Sequence, residues 1–432
     1  MKELFQNRSF TRLFLATVCS QLASTIGTMA FAFYLLDRFS SQPAYASIAE
    51  MLYSAPTILV FLFIGVFADR FDRKRIAENT GWIRVVLSLL MLGALAADAW
   101  IPIVFLLLFI RSAVTKFYFP AESAMIQGLL KEDQYVKASG LNQTVNGLFT
   151  LFGTGLGALV YHAVGVLGAV TVDSIGFLLT ALLVRSVKVP LEVRLPNGPS
   201  TLSSLNMKSV WGDFRIGLRY ILDHKILASL LGGFTLFGLI GGSFAMLPML
   251  TMKFVLAPDN YAFYVSLYSV CLGAGFVIGS GIGAKLVDKF KLYQVLIGSL
   301  LLSGFCGIAL AFASSPWMYL VTAFVLACIL APLNMAIGGW LPKLVEPDKM
   351  GRVSAWIDPV MMAGQSLMLG LIAWLYPSMF TLRGLHLFVV VLLFAAFLIY
   401  AFTLPRFSRE EEGRAQALKA KQPASRGVTM ES

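Results

Sequence analysis

The chain has 432 residues, of which 58% are hydrophobic and only 13% are charged, and its net charge is +11. Because soluble domains carry about 25% charged residues, this composition excludes an ordinary water-soluble protein. The positive charge does not indicate nucleic-acid binding, since the basic residues form short clusters between apolar runs and no soluble basic domain is available to hold a duplex.

Membrane-spanning helices account for most of the chain. Apolar runs of about 20 residues, the length that a helix needs to cross a bilayer core of roughly 30 Å, recur from end to end. The first run follows basic residues as in a signal peptide, but it is too long and lacks a cleavage site of small residues, so we interpret it as a retained helix. We predict twelve spans, numbered in chain order, at residues 10–36, 44–68, 77–97, 101–128, 135–162, 165–186, 226–252, 261–286, 292–314, 316–340, 352–376 and 384–404.

The loops between the spans alternate in charge. Loops after odd-numbered spans are short or nearly uncharged, whereas most of the 34 Lys and Arg residues lie with the N-terminus, the loops after even-numbered spans and the C-terminal tail. The positive-inside rule therefore predicts a multi-pass protein with both termini in the cytoplasm. We expect it in the plasma or inner membrane of a bacterium.

The longest loop divides the chain into two sets of six spans. We predict an N-terminal six-helix bundle at 1–187, a cytoplasmic linker at 188–225, a C-terminal six-helix bundle at 226–404 and a disordered cytoplasmic tail at 405–432, which is charged and poor in large apolar residues. Within the linker, apolar residues recur at helical spacing opposite charged ones, which predicts an amphipathic helix on the membrane surface. A spacer and a regulatory element both fit this pattern.

The two halves repeat one another. Phe119-Pro120 aligns with Ala331-Pro332 at a constant offset, and each proline lies in the fourth span of its half. Two homologous halves with a substrate site between them near the bilayer midplane are typical of secondary transporters.

A dense cluster of charge separates spans 2 and 3. Its spacing, Gly65-x-x-x-Asp69-Arg70-x-x-Arg73-Lys74, resembles the signature loop of the major facilitator superfamily, with Asp72 where the family pattern has a glycine. Five further segments resemble those of drug:proton antiporters of the macrolide-efflux type. These segments are Phe109-Ile-Arg111, Phe119-Pro-Ala121, Asp173-Ser-Ile-Gly-Phe177-Leu178, Gly217-Leu-Arg-Tyr-Ile221 and Gly351-Arg-Val353. The resemblance covers nearly the whole chain and implies an all-α fold of two pseudo-symmetric six-helix bundles.

This loop is a candidate cytoplasmic gate. A glycine lets another helix approach closely, and a carboxylate at the membrane boundary favours a helix N-terminus or an arginine. We predict that Asp69 faces the start of span 11 near Gly351 and that Arg73 pairs with Glu122, which would latch the halves while the cavity is open outward. Plain anchoring by positive charge is the alternative for the basic residues. The predicted gate residues are Gly65, Asp69, Arg70, Arg73, Lys74 and Glu122.

Two glycine patterns lie within spans. Gly153, Thr154, Gly155 and Gly157 of span 5 resemble the antiporter motif of exporters, with the threonine in place of the usual proline. Span 8 contains glycines at every fourth position, Gly275, Gly279 and Gly283, which permit close helix crossing. This second pattern fits either a sliding surface or static packing.

Charged residues inside the spans are candidates for proton coupling. Each costs at least roughly 2.5–3.5 kcal/mol to insert, so it normally faces a cavity or a partner. Arg111 and Asp173 share a predicted depth, and movement of the arginine between conformations would change the proton affinity of the carboxylate. A permanent salt bridge is the alternative. Glu50 and Asp358 are two further candidates for proton coupling. A carboxylate at the membrane interface is the alternative for Glu50, and the proline after Asp358 could break span 11 beside a cavity. Arg84 and Lys116 are expected to snorkel or pair locally.

The predicted cavity is apolar with few charges. Span 1 has a polar stripe, and the family resemblance implies that spans 1, 4, 7 and 10 line the pathway. Aromatic and thioether side chains suit hydrophobic or amphipathic substrates. The predicted lining residues are Gln21, Ser24, Thr25, Thr28, Phe237, Met246 and Met335.

Other function classes lack their motifs. The sequence has no ATP-binding loop, no nucleophile elbow, and three histidines that form no metal-ligand cluster, so we expect neither an enzyme nor a bound metal or cofactor. The resemblance implies a proton-coupled exporter of macrolide-like small molecules, which we expect to act as a monomer in antibiotic resistance. A carrier of lipid-like or siderophore-like cargo and a transport-dead receptor or scaffold remain open.

Overall fold

The structure, a computed structural model, describes residues 2–61, 71–130, 132–195, 207–345 and 350–421. Almost all of these residues are helical, and none of them forms a β-strand. Eleven of the described helices are long and apolar enough to cross a membrane. The predicted all-α membrane fold is therefore confirmed.

The helices of the N-terminal half follow the predicted spans. A short helix, Lys2–Gln6, precedes them. The spans are Arg8–Arg38 (span 1), Ala44–Phe61 (span 2), Arg73–Ala96 (span 3), Ile101–Leu129 (span 4) and one long helix, Glu132–Ser186, that holds spans 5 and 6. The loop between the halves contains a short helix, Leu191–Arg194, and the linker helix, Met207–Asp223.

The C-terminal half contains the remaining spans. They are Lys225–Thr251 (span 7), Tyr261–Lys289 (span 8), Leu292–Ala311 (span 9), Pro316–Leu344 (span 10), Met350–Leu375 (span 11) and Leu382–Lys421 (span 12). A π-helical turn, Met252–Leu256, and a 3-10 turn, Pro258–Asn260, connect spans 7 and 8.

Gly165 breaks the 55-residue helix into spans 5 and 6. Its φ of 67° and ψ of −177° are not helical, and glycine adopts a positive φ without the steric cost that a side chain imposes. The chain reverses there, because Gly157 before the break packs on Met29 of span 1 and Gly176 after it packs back on Ala23. The eleven helices therefore make twelve crossings.

Polar caps fix where two of the spans begin. Asn7 Oδ1 accepts a hydrogen bond from the backbone N–H of Ser9 at 3.1 Å, at the start of span 1. Asp72 Oδ1 accepts from the backbone N–H groups of Lys74 and Arg75 at 3.0 and 3.1 Å, at the start of span 3. These oxygens satisfy donors that the first turn of a helix leaves unpaired.

The two halves meet along two seams. Span 5 packs on span 8, and span 2 packs on span 11. Within the halves, span 1 packs on spans 5 and 6, span 7 on span 11, and span 8 on span 10. We call the side on which span 1 begins the terminal face and the other side the opposite face.

The linker helix contacts both halves at the terminal face. Phe214 stacks on Trp356 of span 11 with ring centroids 3.7 Å apart, and its carbonyl oxygen accepts a hydrogen bond from Trp356 Nε1 at 3.1 Å. The Phe214 ring centroid also lies 5.1 Å from that of Phe61 in span 2. This helix therefore packs on protein as well as presenting charged residues outward.

The tail differs from the prediction. Span 12 continues as a helix to Lys421, so residues 405–421 are helical where the sequence predicts disorder. Glu, Ala, Arg, Lys and Gln dominate this segment, and these strong helix formers extend a helix that is already nucleated. Residues 422–432 lie outside the described part of the chain.

The three glycines of span 8 face span 10. A Cβ atom at Gly275 would lie 2.6 Å from the carbonyl oxygen of Phe324, and one at Gly279 would lie 2.5 Å from that of Cys328. Spans 8 and 10 belong to the same half. The seam thus holds the C-terminal half together and supports the static-packing interpretation.

We expect Gly279→Ala to destabilise the protein by about 1–3 kcal/mol, because the new methyl group must push a backbone carbonyl away. Gly281→Ala is the matched control, since a Cβ there would meet nothing within 4 Å. Thermal unfolding of both purified variants in detergent measures the difference. Equal melting temperatures would show that the seam tolerates side chains.

Candidate functional site

A cavity of about 800 Å³ lies between the two halves, near the middle of the spans. Its wall combines side chains from spans 1, 2, 4 and 5 of the N-terminal half with others from spans 7, 8 and 11 of the C-terminal half. Most of the wall is apolar or aromatic, and hydroxyl groups are interspersed. A concave site of this size and character is typical of the binding of a drug-sized molecule.

Three of the seven residues predicted to line a cavity are on this wall. They are Gln21, Ser24 and Thr25, all from the polar stripe of span 1. Among the described residues, the others lie away from the wall, namely Thr28, Phe237, Met246 and Met335.

These four residues pack in other directions. Met246 is buried, the Phe237 ring lies 6.2 Å from that of Tyr400 in span 12, and Met335 lies beside Gly283 of span 8. Spans 7 and 10 are apolar on all sides, so their sequences do not indicate which face meets the cavity. Span 7 instead contributes four other residues to the wall, namely Phe244, Ala245, Pro248 and Met249.

Glu50 of span 2 is the one carboxylate among the described residues of the cavity wall. Its backbone carbonyl accepts a hydrogen bond from Ser54 Oγ at 2.7 Å, but its carboxylate has no ion pair or hydrogen bond with a described residue. Tyr53, one turn further on, is also on the wall. An unpaired carboxylate in a mostly apolar cavity is a candidate site for a proton or a cationic group.

Asp358 of span 11 lies outside the wall and is exposed. It precedes the wall residue Met362 by one helical turn, so both residues lie on the same face of span 11. Because span 11 begins at the terminal face, Asp358 is placed on the terminal-face side of the cavity.

Arg111 and Asp173 form a buried ion pair inside the N-terminal half, joined through Arg111 Nη1 and Asp173 Oδ2. Ser88 of span 3 donates a hydrogen bond to the same carboxylate oxygen at 2.9 Å. Asp173 packs against Gly27 of span 1, where a Cβ atom would lie 2.8 Å from Asp173 Cγ. The two candidates thus meet, but behind span 1 rather than on the cavity wall.

Arg84 of span 3 completes this buried cluster. Of its two expected arrangements, snorkelling is excluded because the residue is 0% exposed, whereas its Nε does bond locally to the carbonyl of Thr80 at 3.2 Å. Its Nη1 donates to Ser20 Oγ at 2.7 Å, and its guanidinium carbon lies 4.4 Å and 4.8 Å from the ring centroids of Phe177 and Tyr118. Ser20 is on the cavity wall. The Ser20 hydroxyl therefore connects the cavity with the buried charges. This contact depends on how each helix is rotated about its axis, so no sequence pattern indicates it.

That cluster is not saturated with hydrogen bonds. Asp173 Oδ1 and Arg84 Nη2 are buried and have no hydrogen-bond partner among the described residues. The cluster contains two arginines, of which only Arg111 pairs with the aspartate, so the group holds an excess of positive charge.

The predicted gate is only partly described. Gly65, Asp69 and Arg70 lie outside the described residues. The predicted pair of Arg73 and Glu122 is not formed, because Glu122 is buried and accepts a hydrogen bond from Thr17 Oγ1 at 2.7 Å.

The described basic residues of the gate contact the chain that follows span 6. Arg73 Nη1 donates to the carbonyl of Val193 at 3.3 Å. Lys74 Nζ donates to the carbonyl of Arg185 at 2.9 Å. Both contacts stay within the N-terminal half and the segment that leaves it.

Asp37, near the end of span 1, joins the halves at the opposite face. Its carboxylate accepts hydrogen bonds from Lys253 Nζ at 2.6 Å and from the hydroxyls of Tyr261 and Tyr161 at 2.8 and 3.0 Å. The lysine and Tyr261 belong to the C-terminal half, whereas Tyr161 belongs to span 5. These contacts join the two halves on that side of the molecule, and the sequence analysis did not single them out.

The antiporter-type motif of span 5 lies between the halves. Thr154 is on the cavity wall, and its Oγ1 accepts a hydrogen bond from Ser269 Oγ of span 8 at 2.9 Å. Gly153 and Gly157 face span 1, and Gly155 faces span 8. The small residues let span 5 contact both neighbours closely.

Twelve crossings in two halves around a central cavity define a secondary membrane transporter. The family model of the Major Facilitator Superfamily matches residues 13–291 and 256–428. The chain therefore belongs to the Major Facilitator Superfamily. Its predicted resemblance to that superfamily is confirmed.

Individual relatives agree with this assignment. The MFS-type transporter YkuC of Bacillus subtilis (strain 168) is 46% identical over 409 residues, which cover 94% of this chain and 95% of that protein. Macrolide efflux protein A of Streptococcus pyogenes is 24% identical over 360 residues, covering 82% and 85%. A mutant of the peptide transporter POT in complex with alafosfalin aligns with a TM-score of 0.74 at 13% identity, over 92% of this chain and 94% of that one, and so shares the fold. These proteins are transporters rather than enzymes.

Proposed function

We propose that this transporter is a proton-coupled exporter of hydrophobic or amphipathic small molecules. The observation that carries the proposal is the central cavity, whose wall combines aromatic and methionine side chains with the unpaired carboxylate of Glu50. Aromatic and thioether groups adapt to ligands of different shapes. The similarity to macrolide efflux protein A supports macrolide-like cargo.

Proton coupling is proposed for the buried pair of Arg111 and Asp173. Separating the two side chains would change the proton affinity of the carboxylate. Span 1 contacts this cluster through Gly27 and Ser20, and it also lines the cavity. Cargo that displaces span 1 would therefore displace Gly27, which packs on Asp173, and Ser20, which binds Arg84, and so would couple cargo binding to the proton affinity of Asp173.

We further propose that the terminal face is cytoplasmic, as the distribution of basic residues predicts. The structure then corresponds to a state closed to the outside by the contacts of Asp37. Export requires these contacts to open in turn. In this proposal, the predicted pair of Arg73 and Glu122 belongs to the state that is open to the outside.

A flux assay in proteoliposomes tests the proposed function. Purified protein is reconstituted, a fluorescent or radiolabelled macrolide is supplied, and a pH gradient is imposed or omitted. We expect uphill movement of the compound only with the gradient. Flux that ignores the gradient, or movement of lipid-like cargo alone, would contradict the proposal.

We expect Glu50→Gln to weaken export of cationic amphipathic compounds by about 10-fold or more, because a charged hydrogen bond contributes about 1.5–3 kcal/mol. Compound accumulation in cells that produce the variant measures the effect. Glu78→Gln is the matched control, because Glu78 pairs with Arg185 at 3.9 Å outside the cavity. Unchanged export by the Glu50 variant would remove this residue from the site.

A further inference from the structure

A second, smaller pocket lies at the terminal face, where span 3 begins and span 6 ends. Its volume is about 460 Å³, and it is lined by Lys74, Lys188 and Arg194 together with the apolar residues Val187, Val189 and Pro190. It is separate from the central cavity and shares no lining residue with it. The proposed transport mechanism does not use it.

The walls of this pocket are held in place by side-chain hydrogen bonds to the chain that leaves span 6. Arg12 Nη1 donates to the carbonyl of Ser186 at 2.6 Å, and Ser9 Oγ donates to the carbonyl of Lys188 at 2.9 Å. The contacts of Arg73 and Lys74 with the same segment are described above. The backbone of the pocket is thus braced from spans 1 and 3.

The charge of the pocket is only partly compensated. Arg194 forms an ion pair with Asp72. Burial raises the pKa of Asp72, but hydrogen bonds from Arg194 and from the backbone of Arg75 and Lys74 outweigh that effect and lower this pKa below its ordinary value, which keeps the pair ionised.

The two lysines have no such partner. Lys74 donates to a backbone carbonyl, and Lys188 is exposed. Neither forms an ion pair with a carboxylate of the described residues. Two ammonium groups that no carboxylate of the described residues compensates make the pocket attractive to an external anion.

The position of the pocket indicates the source of that anion. It lies where one membrane span begins and another ends, and Leu191, next to its lining residue Pro190, is 65% exposed. An exposed leucine just after the end of a span suits contact with acyl chains, and lysines next to span ends attract the anionic headgroups of lipids.

We propose that this pocket binds the phosphate headgroup of an anionic phospholipid, with Lys74 and Lys188 as the principal ligands. The bound lipid would supply a negative charge to the two lysines and would join the start of span 3 to the segment after span 6. The site does not depend on the cargo or direction of transport.

Native mass spectrometry of the full chain in detergent tests this site, with phosphatidylglycerol and phosphatidylcholine of identical acyl chains as probes. We expect the protein to retain phosphatidylglycerol preferentially. Lys74→Gln with Lys188→Gln should weaken that binding by about 30-fold, since each lysine near a membrane surface contributes about 5-fold. Equal retention of the two lipids would overturn the proposal.

Lys285→Gln with Lys289→Gln is the matched control, because these residues lie at the terminal-face end of span 8 and change the net charge equally. The control should retain phosphatidylglycerol as the unmodified protein does. An equal loss in both double variants would show that only the overall positive charge attracts lipid.

Two further measurements separate the remaining outcomes. Lys188→Gln alone removes an exposed side chain, so it should fold and weaken binding by about 5-fold even if the double variant is unstable. Glycerol phosphate is added as a soluble competitor. Displacement of the lipid at millimolar concentration would assign the site to a free phosphate ligand and overturn the lipid assignment.

Discussion

Asp173→Asn is expected to reduce proton-driven export in proteoliposomes to the level of vesicles without protein. The substitution preserves the shape and hydrogen bonding of the side chain. It removes the carboxylate, paired with Arg111, that we propose to bind and release the transported proton. Substrate exchange across the membrane without a pH gradient should persist, because the cavity wall is unchanged. The two assays together separate loss of coupling from loss of binding.

The alternative is that the pair only stabilises the N-terminal half. Leaving Arg111 buried without its partner costs about 3–5 kcal/mol, so the single variant needs a folding control. Arg111→Gln combined with Asp173→Asn removes both charges and should recover stability. Recovery of gradient-driven export in this double variant would exclude Asp173 from proton coupling. Asp98→Asn is the matched control, because it makes the same substitution in an exposed ion pair with Arg38.

Lys253→Met is expected to open the opposite face. The ammonium group joins the halves through Asp37, and a charged hydrogen bond contributes about 1.5–3 kcal/mol, less where solvent screens it. We therefore expect the population of the open state to rise by about 10-fold. Spin labels at Ala97 and Asp259, on different halves at this face, report the change by electron–electron distance measurement in a cysteine-free background.

Controls locate the effect in the contact between halves. Exchanging the charges, with Asp37→Lys and Lys253→Asp together, should restore part of the closed population. Arg38→Gln breaks an ion pair that lies within the N-terminal half and should leave the distances unchanged. If Lys253→Met leaves the distance distribution of the unmodified protein intact, then the hydroxyl groups and apolar packing hold this face closed without the lysine.

The candidate site shows which cavity residues local sequence patterns can identify. The structure places Gln21, Ser24 and Thr25 of the polar stripe on the cavity wall, and the sequence indicated them because polar groups at helical spacing stand out in an apolar span. The predicted lining residues of spans 7 and 10 depend on which side of a uniformly apolar helix faces the cavity. That orientation is set by packing against neighbouring helices, so Phe237 and Met335 lie elsewhere.

The sequence by itself determined the membrane class, the twelve crossings, the two related halves and the superfamily, because the length of apolar runs, the positions of charged loops and the signature spacing are all local. Only the tertiary structure decided which charges meet. Lys253 and Asp37 are 216 positions apart, and Arg84 is buried against Ser20 across 64 positions. Such contacts depend on the rotation of each helix about its axis and on pairing between distant spans, and the apolar composition of a span does not encode either.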